Sequence, residues 1–116
     1  MADPTAPIEV AVRFIEAFGR RDLTTLTECL ADDVVFESPR VRLAGRDQVV
    51  AGIAEFAGLV EAVQVTARYG DEHGAVVVYE MLTGPFGTIR AADHLTVVDG
   101  RITTDILIFD TAALNR

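Results

Sequence analysis

Three acids in this chain stand where apolar residues are the rule. In the run 88–98, Ile89, Ala91, Leu95 and Val97 alternate onto one face while Thr88, Arg90, His94 and Thr96 take the other, and Asp93 falls on the apolar face. Desolvation disfavours the charged form of such a carboxyl, so its pKa rises unless hydrogen bonds or a cation hold it down. A carboxyl kept neutral can donate a hydrogen bond or a proton. Glu80 and Asp105 likewise interrupt strand-like apolar runs. Acids gathered in one cavity can separate their pKa values into an acid and a base, which is what proton transfer to and from carbon requires. The plainer role for Asp93 is architectural, accepting hydrogen bonds that shape a cavity.

The remaining composition narrows the chemistry. All ten basic residues are arginines, and a chain without lysine forms no Schiff base. His73 and His94 are too few for a three-histidine zinc site, and neither lies in a metal motif, so no metal or cofactor is expected. Cys29 is the only cysteine; it excludes an internal disulfide and reads as a buried small hydrophobe. There is no GxSxG, P-loop or GxGxxG pattern. A net charge of −8 argues against nucleic acid and anionic membranes. No apolar run approaches the roughly 20 residues that span a bilayer, and the start MADPTAP reads as a short frayed tail without a signal peptide, so a cytoplasmic location is expected.

The elements that must position the acids are legible in order. Ile8, Ala11, Val12, Phe14, Ile15 and Phe18 form the stripe of an amphipathic helix. Asp22 caps a second helix by accepting from the N–H groups of Thr24 and Thr25; Leu23, Leu26 and Leu30 give it an apolar face, and Asp32 and Asp33 end it. Val34 and Val35 begin a strand closed by Pro39. A third helix follows Gly45 over about 47–60, with Val49, Val50, Ile53, Phe56 and Ala57 inward. Strands are expected at 63–69, 75–83, 88–98 and 102–109, joined by GDEHG, GPFG and DG turns that imply antiparallel hairpins. The class is α+β with the order α-α-β-α-β-β-β-β. One domain is expected over 8–110, between a disordered tail at 1–7 and a C-terminal tail at 111–116. Both faces of 75–83 are apolar, and 102–109 sets Ile102, Ile106 and Ile108 opposite Leu107 and Phe109, so the face away from the helices is expected to meet a second copy in a homodimer.

The segment RFIEAFGRRDLTTLTECLADDVVFESP, with GRDQVVAGIAEF, ADHLTVVDGRI and a closing IFD, resembles the SnoaL-like branch of the nuclear transport factor 2-like superfamily over 8–110. The resemblance implies a curved sheet curled around the helices into an open-mouthed cone, on a scaffold that carries isomerases, cyclases, hydrolases, dehydratases and binding proteins. It implies that Asp93 matches the neutral acid of ketosteroid isomerase, and that Glu80 and Asp105 point the same way. The general base of that enzyme is replaced by Ser38 and its helix-one tyrosine by Phe14. Ser38 can contact a ligand or serve the turn before Pro39. Arg40 and Arg42, near the mouth, can pair with the acids, meet an anionic ligand or remain solvated. The Asp-Arg-Asp set of limonene epoxide hydrolase is absent, its positions holding Leu82, Glu80 and Leu107. The cavity histidines of scytalone dehydratase have no counterpart, and polyketide cyclase chemistry needs only one of the acids.

These observations leave an enzyme acting on an apolar carbonyl compound, in which Asp93 donates and Glu80 or Asp105 moves the proton, with Phe14, Phe36, Ile53, Leu95, Leu107 and Phe109 as walls. They also leave a binding protein with the same pocket and no turnover, or a module whose sheet face recruits another protein.

Overall fold

A computed structural model describes residues 3–115. Helix α1 (Pro7–Arg20) starts with proline at its first turn, where no N–H is needed, and buries Val10, Ala11, Phe14, Ile15 and Phe18. It ends at Arg21, whose left-handed backbone (φ 58°) turns the chain. The Arg21 guanidinium donates to the carbonyls of Ala57 (3.0 Å) and Val60 (2.8 Å), tying the end of α1 to the chain at 57–60. Helix α2 (Leu23–Glu28) is capped by Asp22, which accepts from the Thr25 N–H (3.1 Å) and hydroxyl (2.7 Å).

Helix α2 stops earlier than the sequence predicts. Leu30, at helical spacing from Leu26, already belongs to strand β1 (Leu30–Glu37), and Asp32 and Asp33 lie within that strand. A short strand β2 (Arg42–Ala44) precedes helix α3 (Arg46–Ala57), which ends before Val60. Four long strands complete the sheet: β3 (Val60–Gly70), β4 (Gly74–Thr83), β5 (Gly87–Val98) and β6 (Arg101–Phe109). The turns carry the expected chemistry. Asp71 accepts from the N–H groups of His73 and Gly74, the Thr83 hydroxyl donates to the Gly87 carbonyl and accepts from the Phe86 N–H, and Asp99 and Gly100 both take positive φ.

The six strands form one curved, unclosed sheet in the order β2-β1-β6-β5-β4-β3. The pairing of β1 with β6 is parallel, so the sheet is mixed where the hairpin turns alone imply antiparallel pairing throughout. The helices cover the face bearing Val77, Tyr79 and Met81 of β4 and Ile89, Ala91, Leu95 and Val97 of β5. The C-terminal residues, expected from sequence to be a tail, include a 3-10 turn (Thr111–Asn115) whose Leu114 packs against the core.

Strand β6 holds one irregularity, and it sets which of its side chains face the helices. Pairing out of the Asp99–Gly100 turn sets Val97 opposite Ile102, but the register shifts by one before Thr96 meets Thr104. Thr103 is the extra residue, and its hydroxyl donates to the Thr96 carbonyl at 3.3 Å. The bulge corrects the expected alternation: Ile102 is buried on the helix side together with Asp105, while Ile106 and Ile108 face outward.

Where strands β4 and β5 converge, Gly74 leaves no room for a side chain, since a Cβ there would lie 2.5 Å from the Leu95 carbonyl oxygen. Gly74→Ala is expected to destabilise the fold by about 1–3 kcal/mol in chemical denaturation; an unchanged midpoint would contradict this packing.

Candidate active site

The bulge and the β4–β5 register bring three polar side chains to one place inside the curve of the sheet. Val77 pairs with Asp93, which makes Tyr79, two residues on, the diagonal neighbour of Asp93 on the same face. Across the other edge of β5, Leu95 pairs with Asp105 and Leu107 with Asp93, so the two acids are diagonal neighbours on adjacent strands. Asp93 is 2% exposed and Asp105 1% exposed. The Tyr79 hydroxyl donates to Asp93 Oδ1 at 2.6 Å. No N–H or hydroxyl donor reaches either carboxyl oxygen of Asp105, an arrangement found at no other buried side chain among the described residues; its one hydrogen-bonding neighbour is the Asp93 carboxyl, which it can meet only when one of the two acids carries a proton.

The electrostatics follow from that asymmetry. Burial raises the pKa of Asp93, opposed by its contacts with Asp105 and the Tyr79 hydroxyl, which favour the ionised form. Burial pushes Asp105 well above the usual 3.8, and the neighbouring charge of Asp93 pushes it further. Burial and the same acids raise the Tyr79 phenol, which therefore stays a donor. The pair thus retains a proton to higher pH than a free carboxyl does. Because Tyr79 satisfies the charge of Asp93 and nothing satisfies that of Asp105, the geometry places that proton on Asp105.

Above the pair opens a cavity of about 360 Å³. Phe14, Ile15 and Phe18 of α1, Ile53 and Phe56 of α3, Met81 of β4, Phe36 of β1 and Leu107 and Phe109 of β6 form its largely apolar wall, and Leu114 reaches it from the C-terminal turn. Of the residues expected to contact a ligand, Phe14, Phe36, Ser38, Ile53, Leu107 and Phe109 line it. Ser38 sits at the mouth, and its hydroxyl accepts from the N–H groups of Arg40 and Val41, the turn role expected of a serine before Pro39. Leu95 does not line the cavity; it is fully buried on the same face, deeper in the core.

Glu80 is not part of the site. It stands opposite Arg90 on the outer face of the sheet, between the inward-facing Tyr79 and Met81, so its expected orientation toward Asp93 is corrected. Tyr79 is the site residue that sequence reasoning misses. Its signal is present in the sequence: the GPFG turn fixes Thr83 opposite Gly87, and counting back along both strands brings Tyr79 beside Asp93. Arg42 pairs with Glu37 at 3.4 Å. Cys29 is fully buried, which raises its thiol pKa and suits the inert role expected of it. The described residues contain no cluster of acids, histidines and cysteines suited to holding a metal ion.

A curved sheet wrapped around three helices, with an apolar cavity opening between them, defines the nuclear transport factor 2-like cone fold. Residues 11–104 match the SnoaL-like domain, and the chain belongs to that family. A solved protein from Kribbella flavida DSM 17836, whose description names no activity, is 31% identical over 97% of this chain and 93% of its own, with a TM-score of 0.90. A candidate ketosteroid isomerase from the same organism is 21% identical over 90% and 77%, with a TM-score of 0.81. An LEH-like epoxide hydrolase from M. tuberculosis is 23% identical over 94% and 86%, with a TM-score of 0.79. These last two likenesses bear on the fold alone. No curated protein matches the sequence.

The proton held by Asp105 has a consequence for stability. The unfolded chain releases it near the usual 3.8 whereas the folded chain retains it to higher pH, so stability falls as pH rises from about 3.8 through the raised value. Asp105→Asn removes that cost. The variant is expected to be more stable than the parent at pH 7.5 by more than about 1 kcal/mol in denaturant titrations, with the difference shrinking toward pH 4; a variant less stable at pH 7.5 would contradict the assignment.

Proposed function

We propose that the pocket takes a small, predominantly apolar carbonyl compound and moves a proton on it without a cofactor, as an isomerase or cyclase would. The observation that carries this reading is the buried carboxyl of Asp105, which no N–H or hydroxyl donor reaches, beside the Tyr79-bonded carboxyl of Asp93. Asp93 takes a proton from the carbon next to the carbonyl while Asp105 gives its proton to the carbonyl oxygen, and the resulting enol is neutral. Return of a proton from Asp93 to carbon and of the enol proton to Asp105 restores both groups. The roles expected from resemblance to ketosteroid isomerase are thereby exchanged between partners: Asp105 is the donor and Asp93 the base. A cytoplasmic setting, where Cys29 stays a thiol, accords with this reading.

A binding role without turnover is the second reading, favoured by a separate observation. The Tyr79 hydroxyl is already committed to Asp93, so only Asp105 remains as a donor at the floor of the pocket. In that case the acids anchor the polar end of a hydrophobic ligand.

The outer sheet face fits a second copy of the chain. Val78, Ala92 and Ile108 form one row across β4, β5 and β6, and Val76, His94 and Ile106 the next. Ile108 is 60% exposed and Leu82 44% exposed, an apolar surface suited to a two-fold contact. Sedimentation is expected to give twice the chain mass, reduced to a monomer by Ile108→Glu; a monomeric parent would exclude the dimer.

Thermal-shift titration with substituted phenols, which mimic an enol in shape, is expected to stabilise the parent. Apolar cyclic ketones that bind are expected to exchange the hydrogen beside the carbonyl for deuterium in D2O, with a loss of about 10²–10⁴-fold in Asp93→Asn. Binding without exchange would leave the second reading, and no response to phenols or ketones would remove both.

A further inference from the structure

The charges around the pocket favour one kind of polar end over others. Two carboxyls lie at its floor, and among the described residues lining it Arg40 is the one basic side chain; it is exposed, as is the lining Glu55 of α3. The lining of α1 carries no titratable group; β4 contributes Tyr79 and β5 Asp93. No fixed positive charge is therefore placed at the floor to receive an anion. A buried pair of carboxyls that no N–H donor reaches is satisfied either by keeping a shared proton or by meeting a cation in its place, and both Asp93 and Asp105 line the cavity. Phe14, Phe18, Phe36, Phe56, Tyr79 and Phe109 surround the same space, and the face of an aromatic ring attracts a desolvated cation.

We propose that this pocket binds small hydrophobic amines as ammonium ions, with the charged nitrogen against Asp105 and Asp93 and the apolar body among the phenylalanines. The inference rests on the pocket being a ligand site, the reading already proposed for it, and is independent of any proton transfer to carbon. The proton balance is simple. The amine arrives from water already protonated, Asp105 releases its own proton to solvent as the ammonium takes its place, and no covalent bond to carbon changes. Binding consequently weakens as pH falls, because the proton and the ammonium compete for Asp105.

The test compares benzyldimethylamine with isobutylbenzene, its uncharged carbon isostere, by isothermal titration calorimetry at pH 7.5 in two buffers of different ionisation enthalpy. The parent protein is expected to bind the amine at least about tenfold more tightly than the hydrocarbon and to release about one proton per amine. Asp105→Asn is expected to lose that preference and the proton release while keeping its affinity for isobutylbenzene. Equal or tighter binding of the hydrocarbon by the parent protein would overturn the inference, as would binding of phenols without the amine, and either result would leave the proposed pocket standing. Absence of binding by amine, hydrocarbon and phenol alike would overturn the pocket reading and this inference together.

Discussion

The extra residue in β6 decides on which side of the sheet Asp105 lies. Continued without a break, the register set by the Asp99–Gly100 turn would place Asp105 opposite His94, on the outer face. The bulge at Thr103, held by its hydroxyl to the Thr96 carbonyl, moves Asp105 opposite Leu95 instead. Strand side chains alternate with period two, so one inserted residue transfers everything beyond it to the other face. Three consequences depend on that single shift. Leu107 and Phe109 reach the cavity, Ile106 and Ile108 are left outside, and a second carboxyl enters an apolar space beside Asp93.

Placing a carboxyl there is unfavourable in itself, and the fold offers Asp105 no hydrogen-bonding neighbour except the other acid. The neighbouring groups divide the burden unequally. Tyr79 crosses from β4 to satisfy Asp93, which lets one member of the pair carry charge, while the other keeps a proton. The same inequality gives the pocket its chemical character: one donor, one acceptor, a net negative floor and aromatic walls. A stability cost is thus concentrated at the floor of the cavity.

Much of this is legible in the sequence where the signal is local. The stripe of α1, the Asp22 cap and the three hairpin turns each rest on residues a few positions apart, and they fall within a few residues of their expected places. The boundary of α2 differs because Leu30 satisfies a helical spacing from Leu26 and also opens a β-branched strand, and only the parallel partnership of β1 with β6 decides between them. That pairing joins distant parts of the chain and leaves no local mark. Glu80 faces away from the site, against expectation, because Tyr79 and Met81 are apolar on one side of β4 and Val78 and Leu82 on the other, so periodicity within the strand cannot choose a face. The turn register can choose it, and supplies Tyr79 as well. The bulge at Thr103 is invisible to alternation, which is why Ile102 falls on the helix side, contrary to its expected alignment with Ile106 and Ile108, even though Asp105 lies inside as expected.

At the centre of this account, Asp93 and Asp105 share one proton above the pH at which a free carboxyl loses it, and it is retained on Asp105. Labelling the aspartate side-chain carboxyl carbons with ¹³C and following their NMR shifts with pH tests this directly, with Asp93→Asn and Asp105→Asn identifying the two signals. One of these signals, assigned to Asp105, is predicted to keep the shift of a neutral carboxyl at pH 7, with the two groups titrating in linked steps above the usual 3.8. Two independent transitions near 3.8, leaving both groups ionised at pH 7, would contradict it.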